Sequence, residues 1–150
     1  MKKTLLFVLA VVLMAACGKT TYVDGTYTAE YDALDSHGWK AFVTIVLSDD
    51  VITSADYDYF NADGERKSED SAYNASMLAI KGINPAMYCP MINTNIMDAV
   101  IVPEFDSIDV VAGATHSCEN ANELVKEALA SAKDGAGDVV VPQPDPATAK

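Results

Sequence analysis

Apolar and polar positions alternate along the first half of the chain and then change period. Thr26-Tyr27-Thr28-Ala29-Glu30-Tyr31 alternates and is rich in β-formers, which predicts a strand. Asp35-Ser36-His37-Gly38 is a turn cluster. From Trp39 to Leu47, residues Trp39, Ala41, Val43, Ile45 and Leu47 share one face at period two, the mark of a half-buried strand. Ser48-Asp49-Asp50 turns the chain. Val51 to Asn61 reads as a third strand, with Val51, Ala55, Tyr57 and Tyr59 on one face. Three strands in succession with short turns predict an antiparallel meander.

Beyond Ala62-Asp63-Gly64-Glu65 the period lengthens. Ser68 is expected to cap a helix with Glu69 and Asp70 in its first turn; the helix ends at Lys81, before Gly82. Asn84-Pro85 predicts a second start, with an apolar face of Met87, Met91, Ile92 and Ile96 and with Pro90 kinking or dividing the helix. Residues 108–111 read as extended. From Ser117 on, Cys118, Ala121, Leu124, Val125, Ala128, Leu129 and Ala132 recur at helical spacing, and Asp134-Gly135-Ala136-Gly137 closes the helix. Residues 134–150, with prolines and no periodicity, are expected to form a disordered tail. Strands first and helices after predict an α+β domain, a β-meander packed with helices, over residues 24–133.

The first residues are of another kind. Lys2-Lys3 precedes an apolar run from Leu5 to Ala16, about 18 Å as a helix and short of a bilayer core of roughly 30 Å. Residues 1–16 are expected to be a signal peptide. Leu13-Met14-Ala15-Ala16-Cys17-Gly18 resembles the lipobox at which bacterial lipoproteins are acylated and cut. This implies lipidation at Cys17, a lipidated tether over 17–23 and a cell-membrane, extracytoplasmic location. Removing residues 1–16 takes Lys2 and Lys3 with it, leaving 8 basic and 22 acidic side chains, so the net charge moves from −12 to −14. Such a chain is a poor partner for nucleic acid, whose phosphates call for Lys and Arg. Cys89 and Cys118 remain, either as an extracytoplasmic disulfide or as two buried thiols.

Chemistry concentrates in Asp109-Val110-Val111-Ala112-Gly113-Ala114-Thr115-His116-Ser117. An extended segment runs into glycine and then into a hydroxyl residue at a helix start, where unpaired N–H groups and the helix dipole favour a phosphate. Thr115 or Ser117 as an ordinary cap is the alternative reading. Asp-x-x-x-Gly-Ala-Thr, here Asp109, Gly113, Ala114 and Thr115, resembles the flavinylation motif of the FMN-binding domain family. That family includes the C subunit of the sodium-pumping NADH:quinone oxidoreductase and the G subunit of the Rnf complex. Ala112 stands where the family usually has Ser or Thr. The likeness extends over roughly residues 24–133, through Asp24-Gly25-Thr26-Tyr27, Lys40–Leu47, Tyr57–Gly64, Tyr73-Asn74 and Lys81-Gly82-Ile83. It is especially close to pheromone-precursor lipoproteins of Gram-positive bacteria that serve extracellular electron transfer.

The resemblance implies FMN joined by a phosphoester to Thr115 by a flavin transferase, with Ser117 as a second acceptor hydroxyl. It also implies an electron carrier fed by a membrane quinol or NADH oxidoreductase and discharging to an extracellular acceptor. The flavin ring then needs flat or thioether side chains; Tyr57, Tyr59, Tyr73, Met77 and Tyr88 are the candidates, although each also reads as core. His116 is expected at the phosphate or ring, or as an exposed residue at the helix start. Asp109 positions the motif for the transferase or caps a turn. Trp39 is assigned to the core and His37 to a turn. Two further readings stay open: a module binding flavin or another phosphorylated ligand non-covalently, and a pheromone precursor whose signal peptide is the active product.

Overall fold

The computed structural model describes residues 20–144. The expected signal peptide, the acyl site at Cys17 and the last residues of the expected tail lie outside them. The α+β architecture is as the pattern predicts. Strands β1 (Gly25–Tyr31), β2 (Lys40–Ser48) and β3 (Val51–Phe60) form an antiparallel meander. The β2–β3 turn carries Asp49 and Asp50 at φ 50° and 59°, as a tight two-residue hairpin requires. A 3-10 turn (Lys67–Glu69) leads to α1 (Ser71–Lys81), α2 (Pro85–Asp98) and α3 (Thr115–Asp134). Helix α2 packs on β3, and α3 lies across β1 and β2.

Ala41, Val43, Ile45 and Leu47 of β2 are buried toward the helices as predicted, with Trp39 beside them. The third strand differs. Val46 pairs with Ser54 but Leu47 pairs with Ile52, so one extra residue bulges out at Thr53. The bulge exchanges faces at the start of the strand: Ile52 is buried and Val51, read as inward, is 54 % exposed. Helix α2 covers the outer edge of β3, and the Asn93 side chain accepts the Tyr57 N–H at 2.6 Å.

The helix boundaries carry corrections with physical reasons. Asp70, not Ser68, caps α1, accepting from the Tyr73 N–H, while the Ser68 hydroxyl donates to Asp58. Asn84 and Pro85 open α2 as predicted, with the Asn84 side chain accepting from the Met87 N–H. Pro90 lies on the exposed side and does not divide that helix. Its buried face is Pro85, Tyr88, Cys89, Ile92 and Ile96; Met87 and Met91 face solvent. Residues 108–111 join no sheet; Ile108 instead donates its N–H to Asn122 at 2.8 Å. Cys89 and Cys118 are buried free thiols, which closes the disulfide alternative in this structure.

Both expected flexible ends are partly built into the domain. Within the expected tether, Thr21 and Tyr22 donate backbone N–H groups to Asp50, and Val23 donates to the Ala132 carbonyl near the end of α3. The Tyr22 ring is buried and its hydroxyl donates to the Ile101 carbonyl. Within the expected tail, β4 (Val139–Val141) pairs parallel to β1, giving the sheet order β3-β2-β1-β4. Gly135 in the left-handed region and the Ser131 hydroxyl bond to the Gly137 carbonyl turn the chain back to reach that edge.

Candidate functional site

Val111 closes a turn with Ala114, whose N–H donates to the Val111 carbonyl at 3.0 Å. Gly113 occupies φ +81° in that turn, a region costly for any residue with a Cβ. The turn delivers Thr115 as the first residue of α3, two positions before the start expected at Ser117. Ala114 is the N-cap and has no side chain to offer, so neither Thr115 nor Ser117 caps this helix. The N–H groups of Thr115, His116 and Ser117 therefore have no protein acceptor among the described residues. Thr115 itself is exposed. An exposed hydroxyl beside free helical N–H groups is a suitable seat for a phosphate.

This turn forms one wall of a cavity of about 560 Å³, within the roughly 300–1,000 Å³ usual for small-molecule sites. Gly113, Ala114, Thr115, His116 and Ser117 line it from the start of α3. Tyr73 and Met77 line it from α1, Tyr59 from β3 and Tyr88 from α2. Of the ring candidates only Tyr57 is elsewhere: it is wholly buried, and its hydroxyl donates to that of Tyr59 at 2.7 Å. The Tyr59 hydroxyl in turn donates to Ser117 Oγ at 2.9 Å, so the second acceptor hydroxyl is buried and engaged while Thr115 is open. Burial raises the pKa values of Tyr57, Tyr59 and Tyr88 above the ordinary range, which keeps these phenols neutral.

Two sequence candidates behave differently from the group. Asp109 is exposed and does not line the cavity; its backbone carbonyl accepts from Asn95 at 2.8 Å. His116 lines the rim, with Nδ1 3.5 Å from Glu119 in an exposed pair.

Several wall residues were not read as part of the site from sequence, where Asp35, Ser36 and His37 were assigned only to a turn. The loop after β1 supplies Leu34, Asp35, Ser36 and His37, and the segment after β4 supplies Gln143 and Pro144. Gln143 Oε1 is buried without a hydrogen-bond partner among the described residues. Lys67 also lines the cavity. Its ammonium lies over three aromatic rings, 4.4 Å from the Tyr59 centroid, 4.8 Å from Tyr73 and 5.5 Å from Trp39. Trp39 meets Tyr73 edge to face at 5.8 Å, so Trp39 supports the cavity wall from the core. In sequence, Arg66-Lys67 is a basic pair after a turn and reads as solvated.

Beneath this wall Asp58 is buried and fully engaged. It accepts from Arg66 Nε at 2.9 Å, from the Tyr59 and Ser68 N–H groups, from the Ser68 hydroxyl and from Cys89 Sγ. The Asn74 amide group donates to the carbonyls of Lys67, Ser68 and Asp70, and its oxygen accepts from the Ala86 N–H. Together these bonds hold the 3-10 turn, and with it Lys67, against the sheet and both shorter helices.

The fold and this cavity define a small α+β domain with a ligand-sized cavity at the start of its last helix. No family model matches the chain. It is 32 % identical over 133 residues to the 15 kDa lipoprotein of Treponema pallidum (strain Nichols), covering 87 % of this chain and 90 % of that protein. The chain belongs to the family of that lipoprotein, a membrane-anchored class. The crystal structure of the CPE2226 protein from Clostridium perfringens superposes with a TM-score of 0.75 at 34 % identity, over 82 % of this chain and 99 % of that one. A solution structure from Clostridium thermocellum matches at a TM-score of 0.45 and 25 % identity, over 73 % of this chain and 91 % of the other.

Proposed function

We propose that this lipoprotein is an extracytoplasmic flavoprotein that carries FMN through a phosphoester to Thr115 and serves as an electron carrier. One observation carries the reading: the exposed Thr115 hydroxyl stands at an uncapped helix start and opens into a cavity walled by Tyr59, Tyr73, Tyr88 and Met77. The residues fit the group. Free N–H groups suit the phosphate, flat phenol rings and a thioether suit a planar heterocycle, and the volume is that of a small-molecule site.

Attachment by a flavin transferase joins Thr115 Oγ to the FMN phosphorus of FAD, breaks the pyrophosphate and releases AMP with the hydroxyl proton. When bound, FMN supplies reversible one- and two-electron chemistry that no side chain offers. The protein's own part is to hold the phosphate end at α3, keep water off one side of the ring with the tyrosines, and let the exposed rim face partners. A membrane quinol or NADH oxidoreductase is the proposed donor class, with an extracellular acceptor downstream. Ser117 is a poor acceptor because Tyr59 already binds it in a buried site.

The test is to express the chain with a flavin transferase and denature it. Flavin fluorescence migrating with the protein, and a flavin-bearing Thr115 peptide in the mass spectrum, are expected. Thr115→Ala should abolish both. Flavin released on denaturation replaces this reading with a non-covalent ligand, and a wholly unmodified peptide from a cell that has the transferase ends it.

A further inference from the structure

Lys67 is 7 % exposed, yet its ammonium meets no carboxylate within 4.0 Å and no hydrogen-bond acceptor among the described residues. The nearest buried acid, Asp58, is taken up by Arg66 and Ser68. Three aromatic faces surround the ammonium, and the remaining direction is the cavity that it lines. Burying a cation without a paired anion is costly, and aromatic faces repay only part of that cost. Burial lowers the Lys67 pKa, while Asp35 and Asp58 act in the opposite sense. A structural side chain at this site would do better as methionine or leucine. The arrangement makes sense when the open direction receives electron density from a ligand.

We propose that Lys67 is a ligand-contacting cation, meeting the carbonyl-bearing pyrimidine edge of the flavin and favouring its anionic reduced form. The inference rests on the flavin reading above. Two electrons from a quinol-class donor and one proton to ring atom N5 leave a single negative charge shared by N1 and the C2 carbonyl; no bond to the protein forms or breaks. Lys67 offsets that charge at short range in a water-poor wall. Asp35 also lines the cavity, its carboxylate engaged by the His37 and Trp39 N–H groups, while the surface carboxylates away from the cavity act through water and are screened over roughly 8 Å at physiological salt.

The experiment compares the flavin-loaded wild-type chain with Lys67→Met and Lys67→Arg in potentiometric titrations between pH 6 and 8, with dissolved redox mediators. The methionine variant should lose at least tenfold of its preference for the reduced state, a fall of about 30 mV for a two-electron couple. Its pH slope should steepen toward two protons per electron pair, because N1 then takes a proton that the ammonium had made unnecessary. Arginine should restore the wild-type preference for the reduced state to within about threefold, and the wild-type slope. If the methionine variant does not fold, Lys67→Gln against Lys67→Arg gives the same comparison. A loaded methionine or glutamine variant with unchanged potential and slope overturns the role of Lys67 and leaves the flavin reading intact. A Thr115 peptide without flavin overturns both.

Discussion

Gly113 abuts Ile83: a Cβ on the glycine would lie 2.9 Å from Ile83 Cγ2. The same glycine holds φ +81°, so an alanine there meets both a backbone penalty and a collision. Gly113→Ala should destabilise the domain by about 2 kcal/mol or more in a denaturant titration. Because the turn aims Thr115, flavin attachment should fall with it. Removing the obstacle, Ile83 Cγ2, in the double variant with Ile83→Ala should relieve the collision but none of the φ cost.

Asn74 is the tie between the turn that carries Lys67 and the two helices beside it. Asn74→Ala removes donors to three carbonyls and the acceptor for Ala86 in a buried setting. A loss of about 2–3 kcal/mol is expected by chemical denaturation. Hydrogen exchange should speed up in residues 66–74 more than in the β1–β2 ladder.

Replacement of Asp58 by asparagine keeps the shape but turns one acceptor into a donor facing Arg66 or Ser68. The side chain is 1 % exposed, so the mismatch stays out of water. Asp58→Asn should cost about 3 kcal/mol, measured by the same titration. Asp56→Asn, in the exposed half of the Arg66 pairing, should cost far less.

Alkaline conditions should weaken the fold from about pH 9 upward. Burial, then the neighbouring Asp58, raises the Cys89 thiol above its ordinary 9.0. Burial likewise raises Tyr31, Tyr57, Tyr59 and Tyr88 above 10.0. The folded chain then keeps protons that the unfolded chain releases, so this stabilisation is complete below pH 9 and declines as pH climbs through 9 and 10. Lys67, whose folded pKa is lowered below 10.5, works the other way over the interval up to 10.5, one group against the five just named and Tyr22 and Tyr73, whose phenols burial also raises. Denaturation midpoints at pH 7, 9 and 10.5 should fall in that order, and Cys89→Ala should delay the first drop.

Ending the chain after Gly137 should lower the melting temperature and open the cavity. Strand β4 satisfies the free edge of β1, Val141 is buried, and Gln143 and Pro144 complete the wall. Burial of one valine contributes about 1.5–3 kcal/mol, before the lost ladder is counted. Thermal unfolding of the shortened chain, compared with a Val141→Ala variant, separates the two contributions.

The meander and the last helix were legible because Ala41, Val43, Ile45 and Leu47 alternate strictly and Ala121, Leu124, Val125 and Ala128 keep helical spacing. Strict alternation failed at Val51, since a bulge at Thr53 inserts a residue and places the inward position before it at Ile52. Counting hydrophobicity misread α2: Met87 and Met91 are apolar but exposed, whereas Tyr88 and Cys89 sit inside. The short Val139–Val141 strand was hidden by the prolines that follow it, which cost nothing beyond the end of a strand. Of the site, the Gly113–Ser117 turn could be read from its order of residue types, and so could Tyr73 and Met77. Lys67 could not, because a basic residue after a turn reads as solvated, and only the converging Trp39, Tyr59 and Tyr73 rings reveal its burial.

The bond from Val23 to Ala132 fixes where the polypeptide enters the domain. Thr115 begins the helix that Ala132 nearly ends, so some 25 Å of rod separates the entry point from the cavity mouth. Whatever is joined to the chain ahead of Val23 therefore attaches at the end of α3 remote from the pocket.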